Sequence, residues 1–254
     1  MTAVAQMEWR KLRSVRSTWW TMAVFAAGMI GLAILVMKSQ HWSSMSASDK
    51  ASFDGVSDSY SGLALGQLVA GILGVLVITT EFASGLIRAT FAAVPSRPRV
   101  LAAKAGVLAA ITLVAGEVLA FGAFWAGQAA LQNPAPHTSL GQPGVLRAVL
   151  MAGAYPALVA LIGLALGAII RHTAGAICAV VGVLFVLPLV IVPLGDSAQH
   201  AVDKFLPMMM AENSMTAVKP VAHSLSAPVS FGLLCGYAAV ALAAGAWALA
   251  RRDA

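Results

Sequence analysis

One acidic residue, Glu117, lies in the middle of a long apolar stretch of the sequence. A charged carboxylate is unfavourable in an apolar environment, so such a residue contacts a substrate, carries a proton or ties helices together. Gln67 and Gln128 also fall in apolar stretches and are candidate hydrogen-bond partners. The three residues could line a substrate pathway. Because no Lys or Arg is expected at the depth of Glu117, we favour a structural, hydrogen-bonded acid.

Little else in the sequence suggests chemistry of the chain's own. It contains no G-x-x-x-x-G-K-[ST] phosphate loop, so any nucleotide energy must arrive from another subunit. The five histidines fall outside the apolar stretches or at their edges, which argues against intramembrane haem, zinc or a Ser-His protease. We therefore expect no catalytic residue, no metal site and no cofactor in this chain.

The elements that position these residues follow from composition. Of the 254 residues, 59% are hydrophobic and only 10% are charged, whereas soluble domains carry roughly 25% charged residues. Apolar stretches of about 20 residues, the length that crosses a bilayer as a helix, recur along the chain. The predicted spans one to six are residues 20–37, 61–80, 105–131, 146–170, 174–194 and 228–249. The sequence thus predicts an all-α, polytopic membrane protein with one permease domain.

The distribution of charge predicts the orientation of these spans. With the N-terminus in the cytoplasm, most Lys and Arg residues fall in cytoplasmic segments and most acids fall outside. Both termini are therefore expected in the cytoplasm, with the protein in the cell membrane. The net charge of +6 then follows from topology, and no nucleic-acid partner is needed to explain it.

The segment before span one, residues 5–18, is amphipathic. Trp9 and three further apolar residues recur at helical spacing, while the other side is basic. The cations are Arg10, Lys11, Arg13 and Arg16. This pattern predicts an interfacial helix that contacts anionic lipid, and a simple topology anchor is an equally good interpretation.

Two connecting segments also carry apolar patterns. Between spans two and three, Leu86, Ile87, Thr90, Phe91 and Val94 fall on one helical face, and Pro95 ends the pattern. This cytoplasmic helix could pack on lipid or dock a partner protein. We favour docking because Glu81, Arg88 and Arg97 offer charge contacts. The long outer loop 195–227 contains the apolar run 205–210, which predicts short helices that cap the bundle or dip into the outer leaflet.

The order of these features resembles a known family. The chain combines a basic interfacial helix with six spans. It also contains a Glu-Phe-x-x-Gly-x-Ile-Arg-x-Thr stretch from Glu81, a following Pro-x-Arg and an Arg-Arg-Asp-Ala tail. Together they resemble bacterial type 2 ATP-binding-cassette (ABC) exporter permeases, particularly the six-helix drug and peptide-antibiotic exporters of actinobacteria. The resemblance covers essentially the whole chain, and residues 81–97 and the last helix with its tail are its most specific parts.

The resemblance implies a homodimer, or a dimer with a related permease, served by two copies of a cytoplasmic ABC ATPase that binds ATP and Mg²⁺. Residues 84–94 would form a coupling helix, which Glu81 and Arg88 would brace against the N-terminal helix. The residues of this coupling site would be Glu81, Gly85, Leu86, Arg88, Thr90, Phe91, Pro95 and Arg97. Loop 195–227 would hold re-entrant helices, and substrate would pass along the dimer axis between spans two and five.

The function predicted from the sequence is that of a membrane permease subunit. It would export a hydrophobic or amphipathic substrate, such as a drug, an antimicrobial peptide or a lipid, as in multidrug resistance, using the separate ATPase. One alternative is a proton-coupled secondary transporter that uses Glu117 as the proton carrier. A second alternative is a membrane immunity protein or scaffold that transports nothing.

Overall fold

A computed structural model describes residues 6–9, 16–94, 96–132, 134–191, 193, 202–217 and 225–251. Its regular elements are all helical within these ranges, and residues 6–9 form a helical turn. The helices are α1 (Arg16–Ser39), α2 (Ala47–Ser52), α3 (Gly55–Asp58), α4 (Leu63–Ala83), α5 (Leu86–Ala93), α6 (Arg97–Ala130), α7 (Val145–Ile170), α8 (Thr173–Ile191), α9 (Pro207–Met215) and α10 (Ala227–Arg251). Six of them, α1, α4, α6, α7, α8 and α10, are long and apolar enough to cross a membrane. The predicted all-α, six-span architecture is confirmed.

Two of these helices extend past the bounds expected from hydropathy. α6 begins at Arg97 instead of residue 105, and its second residue is Pro98, which suits the first turn of a helix. α4 continues to Ala83 and includes Glu81. Hydropathy ends α4 too early and begins α6 too late because it counts Glu81 and Lys104 as solvated charges, whereas both side chains are buried inside the protein.

The centre of the bundle is α7, which packs against α4, α6, α8, α9 and α10. Small residues allow α4 and α7 to approach closely. A Cβ atom on Gly74 of α4 would collide with the Ala160 carbonyl, and one on Gly163 of α7 would collide with the backbone of Gly71. The peripheral α1, α8 and α10 keep most of their apolar surface outside the protein, as expected for helices that face lipid or another chain.

The bundle has two distinct ends. At the α5 end, the short helix α5 joins α4 to α6, and the last turns of α7 and α10 lie nearby. At the opposite α9 end, α9 packs against α3, α7 and α10. Arg147 of α7 donates hydrogen bonds to the carbonyls of Ser214 and Thr216, each at 2.9 Å, and so satisfies the C-terminus of α9. The structure therefore contains one of the short helices predicted in loop 195–227.

Candidate functional site

Three charged side chains meet inside the α5 end of the bundle. The Nζ atom of Lys104 in α6 lies 2.6 Å from Glu81 Oε1 of α4 and 2.9 Å from both carboxylate oxygens of Glu8. Each of the three residues is only 1% exposed. We call Glu8, Glu81 and Lys104 the ion cluster, and it joins the N-terminal turn to the ends of two membrane helices.

The ion cluster is a rigid joint because of how buried charges behave. Charges removed from water are tolerated only when the pairing geometry is good, and removing one partner leaves an uncompensated charge. In the ion cluster one ammonium group contacts two carboxylates at hydrogen-bonding distance. Separation of α4, α6 and the N-terminal turn would therefore expose or isolate a buried charge, which keeps the three segments together.

The joint between α4 and α5 consists of only two residues, Ser84 and Gly85. Gly85 has φ 71° and ψ 0°, in the left-handed region that favours glycine. A Cβ atom at this position would meet nothing within 4 Å. The backbone conformation, and not the available space, is therefore the reason that glycine suits this turn, and the short joint places α5 directly beside the ion cluster.

α5 has one face on the protein and another face exposed. Ile87 is buried, and Phe91 packs against the hydrophobic core formed by α4, α6, α7 and α10. Leu86 is 53% exposed, and Arg88 is also exposed. The predicted single apolar face is thus divided, because Leu86 points away from Ile87 and Phe91. The Thr90 hydroxyl donates a hydrogen bond to the Leu86 carbonyl, one turn earlier in α5.

Two arginines connect α5 and its neighbours to the end of α10. The guanidinium of Arg97 lies 5.4 Å from the centre of the Phe91 ring and donates a 3.2 Å hydrogen bond to the Leu249 carbonyl. Arg171, just after α7, lies 5.3 Å from the Phe82 ring and reaches the Ala248 carbonyl. These contacts combine cation–π attraction with capping of a helix C-terminus, and they fix α5 to the last membrane helix.

The N-terminal predictions are only partly within the described residues. Trp9 is half exposed and lines an apolar groove between α1 and α6, together with Met22 and Ile111. This position suits the predicted contact with lipid. The structure does not describe the basic residues predicted for this helix, which are Arg10, Lys11, Arg13 and the side chain of Arg16. Pro95, further along the chain, also lies outside the described residues.

Sequence reasoning missed Glu8 and Lys104 as members of the site. A usable signal was present, since Glu81 and Lys104 lie near the adjoining ends of two consecutive spans. Consecutive antiparallel helices bring such ends together at the same depth. The sequence contains no comparable signal for Glu8, whose position depends on how the N-terminal turn folds back onto α6.

Glu117, Gln67 and Gln128 do not form one site. Glu117 lies where α6 crosses α7, against Gly153, and its buried Oε2 has no hydrogen-bond partner among the described residues. Gln67 accepts a hydrogen bond from the Tyr155 hydroxyl. Gln128 donates to the Gly55 carbonyl at 3.1 Å and accepts from the backbone N–H of Thr138 at 2.8 Å. The two glutamines thus hold other segments in place and do not satisfy Glu117.

Comparison with known proteins agrees with this architecture. No curated protein matches the sequence of this chain. A family profile described as ABC-2 family transporter protein matches residues 2–254, which is nearly the whole chain. The chain therefore belongs to the ABC-2 transporter family, as a multi-pass membrane translocation component of an ABC transporter that is not itself catalytic.

Proposed function

We propose that this chain is the permease subunit of an ATP-driven exporter and that a separate ABC ATPase drives it through α5. The observation that supports the proposal most directly is the seating of α5 beside the ion cluster. α5 is attached to the protein through Ile87 and Phe91 and leaves Leu86 and Arg88 exposed. An exposed leucine next to an exposed cation suits a partner groove that is apolar and carries an acidic rim.

Force applied to α5 would reach the membrane helices through short, stiff connections. The two-residue joint at Gly85 links α5 to α4, and the ion cluster links α4 to α6 and the N-terminal turn. The Arg97 contacts extend the connection to α10. A displacement of α5 by nucleotide-dependent closure of the ATPase would therefore move several helices as one body, which is the requirement for alternating access.

The proposal places the α5 end in the cytoplasm. Among the described side chains, this end has six basic residues, Arg88, Arg97, Arg99, Lys104, Arg171 and Arg251, against four at the α9 end, Lys38, Lys50, Arg147 and Lys204. The α9 end has five acidic residues, Asp49, Asp54, Asp58, Asp203 and Glu212, against two at the α5 end, Glu8 and Glu81. Basic residues are retained on the cytoplasmic side of membrane proteins. Both termini would then be cytoplasmic in a bacterial cell membrane.

The functional assembly would contain two permeases, as a homodimer or with a related chain, and two ATPase subunits that hold ATP and Mg²⁺. Its cargo would be a hydrophobic or amphipathic molecule, such as a drug, an antimicrobial peptide or a lipid, and export of such molecules would confer multidrug resistance. The family membership and the apolar bundle support this proposal.

Co-purification tests the proposal. Tagged protein isolated from its native cells in mild detergent is expected to retain a partner that hydrolyses ATP. Leu86→Asp should reduce the recovered ATPase activity about tenfold or more, since it places a charge at the centre of the contact. Leu146→Asp is the matched control, because Leu146 is similarly exposed, at 48%, but lies in the first turn of α7 at the α9 end.

Two results would overturn the proposal. One is the absence of any ATP-hydrolysing partner in the wild-type preparation, and the other is equal recovery with the two Leu→Asp variants. Transport that continues after ATP depletion, requires a proton gradient and is lost in Glu117→Gln would instead establish the proton-coupled transporter. Phe91→Asp is a poor test because Phe91 packs against the core, so its replacement would destabilise the fold.

A further inference from the structure

An apolar groove of about 730 Å³ runs along the outside of the bundle, between α1 and α6. Nine of the ten described residues that line it belong to these two membrane helices and are apolar, and the tenth is Trp9 of the N-terminal turn. Four of the nine are alanines, which leave space between the helices: Ala23, Ala26, Ala110 and Ala115. The groove therefore accepts hydrocarbon and offers no charged side chain to a ligand inside it.

The length of the groove matches one leaflet of a bilayer. On α6 the lining residues extend from Ala110 to Leu119, which corresponds to about 14 Å of helix. Half of the hydrocarbon thickness of a bilayer is about 15 Å. On α1 the lining residues extend from Met22 to Ala26, just after the exposed Trp20. The groove thus lies in the leaflet nearer the α5 end and has the length of one acyl chain.

The ion cluster fixes the end of the groove that Trp9 lines. Glu8, the residue before Trp9, lies 2.9 Å from the ammonium group of Lys104, which precedes Ala110 by six residues on α6. Trp9 is therefore held at the α5 end of the groove, with its side chain half exposed. Tryptophan side chains are enriched where headgroups meet hydrocarbon. This end of the groove is thus level with the lipid headgroups.

The exposed charge on α6 beyond this end of the groove is positive. Arg99 is exposed and precedes Ala110 by eleven residues, or about three helical turns, so the two residues share one face of α6. Gly106 lies between them on that face, and a Cβ atom there would meet nothing within 4 Å. Both described acids at the α5 end are buried in the ion cluster. An anionic headgroup at this position would therefore meet a cation and no exposed described acid.

We propose that the groove holds one acyl chain of an anionic phospholipid, whose phosphate lies at the level of Trp9 and within reach of Arg99. The apolar lining suits a hydrocarbon chain, because a polar group placed there would lose its hydrogen bonds to water. A basic residue near the membrane surface attracts an anionic headgroup. The length of one leaflet and the cation beyond the α5 end together favour a phospholipid over a neutral apolar ligand.

Photo-cross-linking of the full-length protein in detergent tests the proposal without nucleotide or ATPase, so its outcome is separate from that of the exporter proposal. The probe is phosphatidylglycerol with a diazirine midway along one acyl chain, and the labelled peptides are identified by mass spectrometry. We expect saturable labelling within residues 22–26 and 110–119. Unlabelled phosphatidylglycerol should compete at a concentration at least fivefold lower than phosphatidylcholine, which has the same chains and no net charge.

Two substitutions test the chain site and the headgroup site separately. Ala110→Phe fills the groove and should reduce the labelling at least fivefold, whereas Ala239→Phe should leave it unchanged, because Ala239 is an exposed alanine of α10 outside the groove. Arg99→Gln should lower the preference for phosphatidylglycerol over phosphatidylcholine about fivefold. Arg251→Gln, which removes an exposed cation at the same end on α10, should leave this preference unchanged.

Several results would overturn the proposal. Labelling that does not saturate, or that is equal on α10 and in the groove, would mean that the groove contacts only bulk lipid. Labelling of other helices without the groove residues would mean that a second copy or a cargo molecule covers it. Equal competition by the two phospholipids would exclude the anionic headgroup. Arg99 is exposed, so Arg99→Gln tests the site even where Ala110→Phe fails to fold, and an effect equal to that of Arg251→Gln would also overturn the proposal.

Discussion

The two ends of the helix bundle both bury acidic side chains, but they balance the charge in different ways. At the α5 end, Glu8 and Glu81 share the ammonium group of Lys104. At the α9 end, Asp58 and Glu212 line a cavity in which no described residue supplies a cation. Acidic side chains are therefore bound to a shared ammonium group at the α5 end and line a cavity at the α9 end.

This difference determines what each end can do. A buried cluster in which one ammonium group holds two carboxylates resists separation, so it suits a joint that transmits movement between segments. Acids that face a cavity lined by no described cation respond to pH, because burial favours their protonated form. The paired α5 end thus has the properties of a mechanical connection, and the unpaired α9 end has those of a region that responds to pH.

The largest change in stability should come from removing the cation of the ion cluster at the α5 end. Lys104→Met leaves two buried carboxylates without their cation and should lower the free energy of unfolding by about 3–5 kcal/mol. The thermal unfolding midpoint of purified protein in detergent measures this loss. Combining Lys104→Met with Glu8→Gln and Glu81→Gln should recover part of it, because the triple variant no longer buries unpaired charge.

Lys50→Met is the matched control for Lys104→Met. Lys50 lies outside the bundle core, with its ammonium 5.7 Å from the centre of the Trp42 ring. Loss of this surface cation–π contact should lower stability by only about 0.5–1 kcal/mol. Equal unfolding midpoints for the Lys104 and Lys50 variants would show that the ion cluster does not stabilise the α5 end.

At the α9 end we expect a smaller change in stability, which depends on pH through Asp58. The pKa of Asp58 is raised from its ordinary value of 3.8 to about 6, so the folded state binds the proton more tightly than the unfolded state. The associated stability is complete below about pH 4 and is lost as the pH rises through 6. Because the side chain is only partly buried, solvent screening reduces the loss to about 1–2 kcal/mol.

Thermal unfolding between pH 4 and pH 7.5 measures this contribution. Asp58→Asn should flatten the decrease in stability across this range, while Asp49→Asn should leave the wild-type profile intact. Parallel profiles for the wild type and Asp58→Asn would mean that the pKa of Asp58 is not raised. Glu212 acts in the same direction, so Glu212→Gln should remove a further part of the decrease.

The contrast between the two ends also explains how much the sequence could predict. The six membrane helices follow from local composition, since any window of about 20 apolar residues is sufficient. The early start of α6 could not be predicted in that way, because Lys104 is tolerated in the helix only through Glu81 and Glu8, which are distant in the chain. Likewise, Asp58 and Glu212 are separated by most of the bundle in sequence and meet only through tertiary packing.

For the interior polar residues too, the sequence predicts the helix that contains them but not the groups that they contact. Glu117 was correctly expected to lie within a membrane helix, but its expected partners bond elsewhere, Gln67 to Tyr155 and Gln128 to Gly55. The short amphipathic helix after span two was predicted correctly as an element. Which of its apolar residues face the protein depends on the turn at Gly85, and hydrophobic periodicity alone does not fix that rotation.

The smallest change in stability is expected at the turn at Gly85, which sets the position of α5 relative to the ion cluster. Gly85→Ala forces a Cβ atom onto a left-handed residue and should lower stability by about 1 kcal/mol, although the space around it is open. Gly106→Ala is the control, since Gly106 is also in open space but lies inside α6, where alanine should raise stability by up to about 1 kcal/mol. Opposite shifts of the unfolding midpoint are therefore expected. A stabilising effect of Gly85→Ala would mean that the joint does not adopt the left-handed conformation, and the rigid link between α5 and α4 would have to be abandoned.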